Sequence, residues 1–444
     1  MTNYRTVADT VAEEIRAGRL RAGDRLPTQR DFARRHGIAA STATRVYQEL
    51  ARRGLTVGEV GRGTFVRAMS DVPVTRPVQP SDGRVDLELN YPVVPEQGEL
   101  LAAGLAQLLR PETLQDALRQ TGPAGTPAAR EAAADLLARS GWCPAPARVL
   151  FSGGGRQAVS AAVTALAPPG SRLGVEELTY PVLKGIAARL GVTLVPLAMD
   201  EAGLVPEAVV RAHRATPLHA VYVQPALHNP LALAMPLPRL ERLAEVLTEL
   251  GLHAIEDGVW SFLCDGPPLA SLVPDRTVFV DSLSKRLAPG LSLGLVVAPA
   301  ALSSSLSVAL RSGGWGPMRF ALEAMVRWQT DGGVPVVVEA KRRQARQRQD
   351  LAKARLAGFT TQGDPRSYYR WWELPHPWRP DTFVAAAARH GIAVTPAAAF
   401  AVDPLRIPNA VRLGLGSPPA DTLVRALDTL ADLARSAPED LVTD

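Results

Sequence analysis

The chain has 444 residues, 46% of them hydrophobic, and its formal net charge is +5. This length is enough for a small domain and a large domain that each bury a core. No run approaches the roughly eighteen apolar residues of a membrane span, and the charges near the N-terminus exclude a secretion signal, so we expect a cytoplasmic globular protein without a membrane partner.

The two cysteines give no indication of a metal or disulfide site. Cys143 and Cys264 are far apart, and neither belongs to a C-x-x-C pair. Zinc sites and disulfide frameworks need closely spaced or paired cysteines. We therefore expect no bound metal, and we expect both cysteines to lie in the core.

Charge is unevenly distributed along the chain. Residues 1–68 contain thirteen arginines, no lysine and seven acidic residues, a net charge of +6, whereas residues 69–444 have a net charge of −1. A basic module joined to a nearly neutral body is typical of a protein that binds a polyanion through one end.

The basic module begins with two predicted helices. Val7, Val11 and Ile15 repeat every four residues and predict a first helix that ends near Gly18. A second helix is predicted over 28–36, between a proline and a glycine that favour its two ends.

A third helix and a hairpin complete the module. Ser41 is expected to cap this helix. The residues expected to face inward are Val46, Tyr47 and Leu50. The residues expected to point outward are Thr42, Thr44 and Arg45. Residues 55–66 then alternate in polarity around Gly61-Arg62-Gly63, which predicts a β-hairpin.

Three helices followed by a hairpin indicate a winged helix-turn-helix, whose third helix reads base edges in the major groove of DNA. Arg62, at the hairpin tip, can reach phosphates or the minor groove. The pattern alone leaves open a small helical packing domain with a solvated basic face.

The residues GDRLPTQRDFARRHGIAASTATRVYQELARRGL, followed by GRGTFV, resemble the GntR family of DNA-binding domains. The resemblance implies that residues 1–68 bind double-stranded DNA. The residues implied to contact it are Arg30, Ser41, Thr42, Thr44, Arg45 and Arg62.

A linker and a large domain follow. Residues 69–84 contain three prolines and no regular periodicity, which is typical of a semi-stiff linker. Over 85–444, helical patterns alternate with short apolar runs at 148–154, 171–177, 192–199, 219–225, 252–258, 277–284 and 292–299. This alternation predicts an α/β domain with a mostly parallel central sheet, whose ligands bind beyond the carboxyl ends of the strands.

Two of the predicted strands end in residues suited to an aldehyde cofactor. Lys285 follows a buried strand, beside Ser282 and Ser284, which suits a Schiff base next to a bound anion. Asp257 ends another strand, where a buried carboxylate needs a cationic partner such as a protonated pyridine nitrogen. The alternatives are an exposed turn lysine and a helix-capping aspartate.

Four further features are weaker when taken singly. The glycine run before Arg156 offers backbone N–H groups to a phosphate at the start of a helix. Asn229 can donate to a phenolate oxygen, Tyr180 can stack on a flat ring, and Arg412 can bind a carboxylate. Each also has an ordinary explanation, namely a turn, core packing or a surface ion pair.

The order of these motifs resembles a fold-type I aminotransferase domain, and its place behind a GntR-type domain resembles the MocR subfamily of regulators. The resemblance implies pyridoxal 5′-phosphate (PLP) as the cofactor, and a homodimer. Lys285 would then be the lysine of the internal aldimine, with Asp257 at the pyridine nitrogen and Asn229 near the ring oxygen. Tyr180 would stack on the ring, and Arg412 would bind the carboxylate of a substrate or effector. The residues implied near the phosphate are Ser282, Ser284, Gly154, Gly155 and Arg156.

Two departures from the family pattern concern the cofactor. Val259 and Trp260 stand where relatives have a tyrosine that bonds the ring oxygen, and Ser292 replaces an arginine that neutralises the phosphate. The loss of one or two charge-assisted hydrogen bonds would weaken cofactor binding by a few kcal/mol. Arg156 or Arg286 is a candidate to replace the missing cation.

We therefore predict a PLP-dependent, DNA-binding transcription regulator that senses an amino compound or PLP itself through aldimine chemistry. Two alternatives remain open. One is an active PLP-dependent aminotransferase that carries a DNA-binding head, for which weak or absent transamination is expected. The other is a regulator that has lost PLP and keeps a degenerate pocket.

Overall fold

The computed structural model describes residues 4–16, 19–20, 24–52, 55–59, 63–66, 84–95, 97–312 and 316–436. The chain divides into two compact units, residues 1–82 and residues 83–444. Gly18, Arg62 and the predicted linker before residue 84 lie outside the described residues.

The first unit consists of three helices and a two-stranded hairpin. The helices are α1 (Tyr4–Arg16), α2 (Gln29–His36) and α3 (Ala40–Arg52). The strands, which pair antiparallel, are β1 (Thr56–Glu59) and β2 (Gly63–Val66). The core residues include Val7, Val11, Ile15, Phe32, Val46, Tyr47 and Leu50. The predicted winged helix-turn-helix is confirmed.

Two helices of this unit begin at a different residue than predicted. Thr28 lies before α2, and its hydroxyl oxygen accepts a hydrogen bond from Asp31 N at 3.2 Å. The prediction that Ser41 caps α3 is wrong, because Ala39 O already accepts a helical hydrogen bond from Ala43 N at 3.0 Å. Ser41 therefore lies in the first turn of the helix.

The second unit is an α/β structure. Its strands are β3 (Val85–Asp86), β4 (Val149–Ser152), β5 (Arg172–Glu176), β6 (Thr193–Leu197), β7 (Met199–Asp200), β8 (Gly203–Leu204), β9 (Ala220–Val223), β10 (His253–Asp257), β11 (Thr277–Ser282), β12 (Gly294–Val297), β13 (Thr361–Gln362), β14 (Tyr369–Glu373), β15 (Ile392–Ala393), β16 (Thr395–Pro396) and β17 (Ala410–Gly414). Its helices are α4 (Gln97–Leu108), α5 (Pro111–Ala117), α6 (Pro127–Leu137), α7 (Gly155–Leu166), α8 (Pro181–Leu190), α9 (Pro206–Ala215), α10 (Leu237–Glu249), α11 (Leu269–Leu272), α12 (Leu283–Arg286), α13 (Ser303–Ser312), α14 (Arg319–Thr330), α15 (Gly333–Arg355), α16 (Pro380–Arg389) and α17 (Ala420–Arg435).

Seven strands form the central sheet, in the order β4-β12-β11-β10-β9-β5-β6. Neighbouring strands are parallel except that β12 runs antiparallel to both β11 and β4. Each of the seven predicted apolar runs contains one of these strands. The runs are apolar on both sides because helices pack on both faces of the sheet. The predicted mostly parallel sheet is confirmed.

A smaller antiparallel sheet, in the order β13-β14-β17-β16, forms the C-terminal part of the unit. The beginning of the unit is anchored next to this sheet. Strand β3 pairs in parallel with β15, and Leu87 O accepts from Gly414 N of β17 at 2.6 Å. These contacts hold residues 87–91 beside strand β17.

Two expectations drawn from composition can be compared with the structure. Cys264 is buried, as expected, but Cys143 is exposed because it lies in the connection between α6 and β4. None of the described helices combines the length and the apolar character that a membrane span requires.

Candidate functional site

Lys285 lies at the carboxyl end of the central sheet. Strand β11 ends at Ser282, and the single turn α12 that follows carries Lys285. The Nζ atom of Lys285 donates to the main-chain oxygen of Asn90. It lies 4.3 Å from the ring centroid of Tyr91 and 5.4 Å from that of Trp260. One carbonyl and two aromatic rings therefore surround the amine.

The protonation state of Lys285 differs from that of a surface lysine. Burial, and then the positive charges of Arg412 and Arg156, lower the pKa of Lys285 from 10.5 to about 7. A large fraction of the amine is thus neutral near neutral pH, and a neutral amine can attack a carbonyl carbon. Lys285 has the position and the protonation state that a Schiff-base lysine needs.

Asp257 ends strand β10, the neighbour of β11, and is 6% exposed. Its carboxylate accepts hydrogen bonds from the Tyr222 hydroxyl at 2.5 Å and from Val259 N at 3.2 Å. Burial raises the pKa of Asp257 from 3.8 to about 6, although both hydrogen bonds oppose the rise. No cationic side chain is among the main causes of this shift, so the carboxylate can accept a cation from a bound molecule.

Helix α7 begins directly after β4, and its start forms a narrow cradle. Gly154 has a φ of +155°, and a methyl group added there would lie 2.9 Å from Ser292 Oγ. A methyl group added at Gly155 would lie 3.1 Å from Ser282 Cβ, and Ser282 Oγ lies 3.0 Å from Ser284 Oγ. Ser282 and Ser292 therefore lie close to the start of this 12-residue helix, and the free N–H groups of a helix start can bind a phosphate.

The two arginines considered for the phosphate have different surroundings. Arg156 lies in the first turn of α7 with an exposed side chain, and its charge acts on the pKa of Lys285 and of Tyr180. Arg286 instead forms a buried ion pair with Asp281. The expectation that Arg286 replaces the missing cation is therefore not supported, and Arg156 is the remaining candidate.

Arg412, on strand β17, is buried and joins the two sides of the site. Its Nη1 donates to Asn229 Oδ1 at 3.2 Å, and its Nη2 donates to Thr395 Oγ1 at 3.1 Å and to the main-chain oxygen of Glu88. Burial lowers the pKa of Arg412 to about 10. Its Nε is buried and has no hydrogen-bond partner within the described part of the chain. The guanidinium therefore keeps unused hydrogen-bonding capacity close to Lys285.

Tyr180 and Trp260 supply the aromatic surface of the site. Tyr180 is half-buried immediately before α8, and burial raises its pKa while Arg156 opposes the rise. Trp260 is buried against Phe262, Tyr368 and Tyr369. Its ring offers Lys285 an aromatic face where a tyrosine would have offered a hydroxyl.

Three further residues belong to this site and were not predicted from the sequence. Tyr222 could have been predicted as a site residue, because a tyrosine inside an apolar strand needs a hydrogen-bond partner for its hydroxyl. Asn90 contributes its main-chain oxygen, which no side-chain pattern can indicate. Lys341, in a charged helical segment, is fully buried and donates to Lys285 O at 2.8 Å.

The predicted DNA-contacting residues belong to α2 and α3 of the first unit, apart from Arg62. Those with exposed side chains are Arg30, Ser41 and Arg45. The expectation that Thr42 and Thr44 point outward is only partly met, because both are half-buried. The Thr44 Oγ1 atom lies 2.9 Å from Gln29 Oε1 and 3.1 Å from Ala40 O, so the one hydrogen of this hydroxyl already has an acceptor within the unit.

Two protein families match the chain, one in each unit. Residues 3–66 match the bacterial regulatory proteins of the gntR family. Residues 90–430 match the aminotransferase class I and II family.

Relatives of this chain are named as HTH-type transcriptional regulators. The chain is 29% identical over 421 residues to the uncharacterized HTH-type transcriptional regulator YdeF of Bacillus subtilis, covering 94% of this chain and 90% of the relative. It is 25% identical over 308 residues to the HTH-type pyridoxine biosynthesis transcriptional regulator PdxR of Corynebacterium glutamicum, covering 66% of each.

A solved structure shares the fold of the large unit. LysN, the alpha-aminoadipate aminotransferase of Thermus thermophilus complexed with N-(5′-phosphopyridoxyl)-L-leucine, matches with a TM-score of 0.71 and 22% identity, over 81% of this chain and 94% of that one. Because the aminotransferase match spans most of the residues, the chain belongs to the aminotransferase class I and II family and joins that domain to an N-terminal gntR-family domain, the arrangement of the MocR subfamily of regulators.

Proposed function

We propose that this chain is a transcription regulator that binds double-stranded DNA through its gntR-family domain and PLP through its aminotransferase-family domain. The observation that carries the PLP assignment is the placement of Lys285 and Asp257 at the ends of adjacent strands. One is an amine with a lowered pKa, and the other is a buried carboxylate with a raised pKa. A cofactor with an aldehyde and a pyridine nitrogen suits both groups.

The residues present fit PLP. A protonated pyridine nitrogen would supply the cation that Asp257 lacks. The cradle of Gly154 and Gly155, with Ser282 and Ser284, would hold the phosphate. When bound, PLP supplies an aldehyde that a primary amine can attack and a ring that withdraws electrons.

Asn229 and Tyr180 would hold the ring. Arg412 is only a donor, so the Asn229 amide must turn its Oδ1 toward Arg412. Its Nδ2 is then free to donate to a ring oxygen. Tyr180, half-buried at the start of α8, would stack on the ring face.

The effector is proposed to be an amino compound that carries a carboxylate. Its amine would react where Lys285 reacts, and its carboxylate would pair with the guanidinium of Arg412, whose charge acts on Lys285. Such a ligand can change DNA affinity only by as much as it favours one of two conformations over the other. The proposal therefore predicts a coupling between effector binding and DNA binding.

The functional form is proposed to be a cytoplasmic homodimer, as the family resemblance implies. Two DNA-binding units would then contact two half-sites of one operator. A role on DNA that also depends on PLP and an amino compound is consistent with the cytoplasm.

The test uses DNA duplexes selected from a random library by the wild-type protein. Their affinity is measured by fluorescence anisotropy at one fixed salt concentration, because salt changes DNA affinity strongly. PLP with the active amino compound should change the affinity by about fivefold or more, and Lys285→Ala should abolish this change. Arg45→Ala should weaken DNA binding and leave PLP binding intact.

The same measurements separate the alternatives. Failure to select any DNA duplex would contradict the proposed regulator function. Complete transamination with no effect of the amino compound on DNA affinity would favour an aminotransferase that carries a DNA-binding head. Equal spectra of wild type and Lys285→Ala with PLP would favour a regulator with a degenerate pocket.

A further inference from the structure

A second lysine lies directly behind Lys285. Lys341, on the long helix α15, has a relative exposure of 0%. Its Nζ donates to the main-chain oxygen of Lys285 at 2.8 Å and also to the main-chain oxygen of Leu287. The ammonium of one lysine thus binds the backbone of the turn that presents the other.

The charge of Lys341 is not explained by an ion pair. The buried carboxylate of the same region, Asp281, is already paired with Arg286. Burial, and then the charges of Lys285 and Arg286, lower the pKa of Lys341 to about 7. Burying a charged or polar amine is costly unless it is fully hydrogen-bonded, so its placement here requires the two carbonyl acceptors.

Those acceptors need such a donor because the turn is short. Helix α12 has only four residues, Leu283–Arg286, and Leu287 N closes it by donating to Leu283 O at 2.7 Å. The last carbonyls of a helix have no partner within the helix. Lys341 provides a donor for them from α15, as basic side chains do at helix ends.

We propose that Lys341 is a positioning residue for Lys285. By holding the carbonyls of Lys285 and Leu287, it fixes the turn α12 so that the amine of Lys285 is directed at the aldehyde of the cofactor. The inference rests on the proposed PLP function and adds to it a residue from a different helix. It concerns the covalent step and not the binding of the ring or the phosphate.

The test compares Lys341→Met with the matched control Lys184→Met in the full-length protein. Lys184 likewise donates to main-chain oxygens, those of Ala398, Ala399 and Ala401, but not to the turn α12. Each variant is titrated with PLP and with pyridoxine 5′-phosphate, which has the same ring and phosphate but no aldehyde. The rate of adduct formation with PLP is followed by absorbance, and thermal unfolding is recorded without ligand.

Lys341→Met should weaken PLP binding and slow adduct formation by about tenfold, the effect of two buried acceptors that lose their donor. Its affinity for pyridoxine 5′-phosphate should stay within about twofold of wild type, and Lys184→Met should match wild type with both ligands. A purely structural role of Lys341 would lower the thermal stability of Lys341→Met and leave its ratio of the two ligand affinities unchanged, which would overturn the inference.

Three further outcomes are also decisive. If Lys341→Met does not fold, the same ratio is measured on Lys341→Leu, whose apolar side chain also lacks the N–H donors, and an unchanged ratio overturns the inference. If wild type forms no covalent adduct with PLP, the proposed function fails and this inference fails with it. A wild type that reacts and a Lys341→Met variant that reacts equally well would refute the inference alone.

Discussion

At the level of single residues, the site keeps two ionisable groups in surroundings that disfavour their charges. Asp257 is held by neutral donors, the Tyr222 hydroxyl and Val259 N. Lys285 donates to a neutral acceptor, the oxygen of Asn90. Burial therefore raises the pKa of Asp257 and lowers the pKa of Lys285, and each shift favours the neutral form of the group. A ligand that places a cation next to Asp257 and an electrophile next to Lys285 gains affinity from both residues.

Asp257→Asn should separate stability from cofactor binding. The raised pKa of Asp257 means that this carboxyl favours folding below about pH 4, and that this contribution is lost as the pH rises through about 6. At pH 8 the variant should therefore be more stable than wild type by up to about 3 kcal/mol without PLP, since one pKa unit corresponds to about 1.4 kcal/mol. It should also bind PLP more weakly.

Chemical denaturation and PLP titration measure the two effects of this substitution. Asp350→Asn, at an exposed position on α15, is the control and should change neither quantity. A loss of stability in Asp257→Asn at pH 8 would contradict the account of this carboxylate.

The rate of the Lys285 reaction should depend on pH with a midpoint near 7. Because burial lowers the pKa of Lys285, the neutral amine becomes the main form as the pH rises through that value. Arg412→Met removes a positive charge that lowers this pKa, so the midpoint should move to higher pH. Arg370→Met, which removes a buried arginine bonded to Thr361 and Gln349, should leave the midpoint in place. Stopped-flow absorbance measures the midpoint in both variants. An unshifted midpoint in Arg412→Met would refute the electrostatic effect of Arg412 on Lys285.

Sequence alone indicates Lys285 and Asp257, because each follows a run of apolar residues that must be a buried strand. It does not indicate their partners. Asn90 acts through its main-chain oxygen, and it reaches Lys285 only because residues 87–91 are anchored on the C-terminal sheet. Lys341 lies among charged residues whose pattern predicts a solvated helix face, and only the packing of α15 shows that this lysine is buried.

At the level of elements, the start of helix α7 is the feature on which phosphate binding depends. Arg156 is the one cation of this turn whose side chain is exposed at the cradle. Arg156→Ala should weaken binding of PLP by about tenfold, the scale of one charge-assisted hydrogen bond. It should hardly affect pyridoxal, which lacks the phosphate. Arg119→Ala, at an exposed position just after α5, is the control, and equal losses in the two variants would exclude Arg156 from the phosphate site.

The elements themselves were predictable where one local signal dominates. The seven apolar runs become the seven strands of the central sheet because both faces of that sheet are covered. The antiparallel direction of β12 was not predictable, since it is set by pairing with β4 and β11, which are distant in sequence. The start of α3 was misplaced because Ala39 begins the hydrogen-bond pattern before the polar Ser41 does.

At the level of the whole molecule, the proposed dimer rests on the family resemblance and can be tested at exposed apolar residues. Leu109 and Leu118, at the ends of α4 and α5, are 65% and 72% exposed. Single exposed leucines are common on monomeric proteins, so these two positions test the dimer and are not evidence for it. Light scattering should give twice the chain mass of 47.3 kDa, and the double variant Leu109→Asp and Leu118→Asp should shift the mass toward a monomer. A monomeric wild type would contradict the dimer.

Reductive trapping shows directly whether PLP reacts with Lys285 of this DNA-binding regulator. The chain contains four lysines, at positions 184, 285, 341 and 353. The full-length protein is incubated with PLP, reduced with borohydride, digested and analysed by mass spectrometry. We predict a phosphopyridoxyl group on Lys285 alone, and none after the same treatment of Lys285→Ala. Labelling spread over the other lysines, or no labelling at all, would contradict the account.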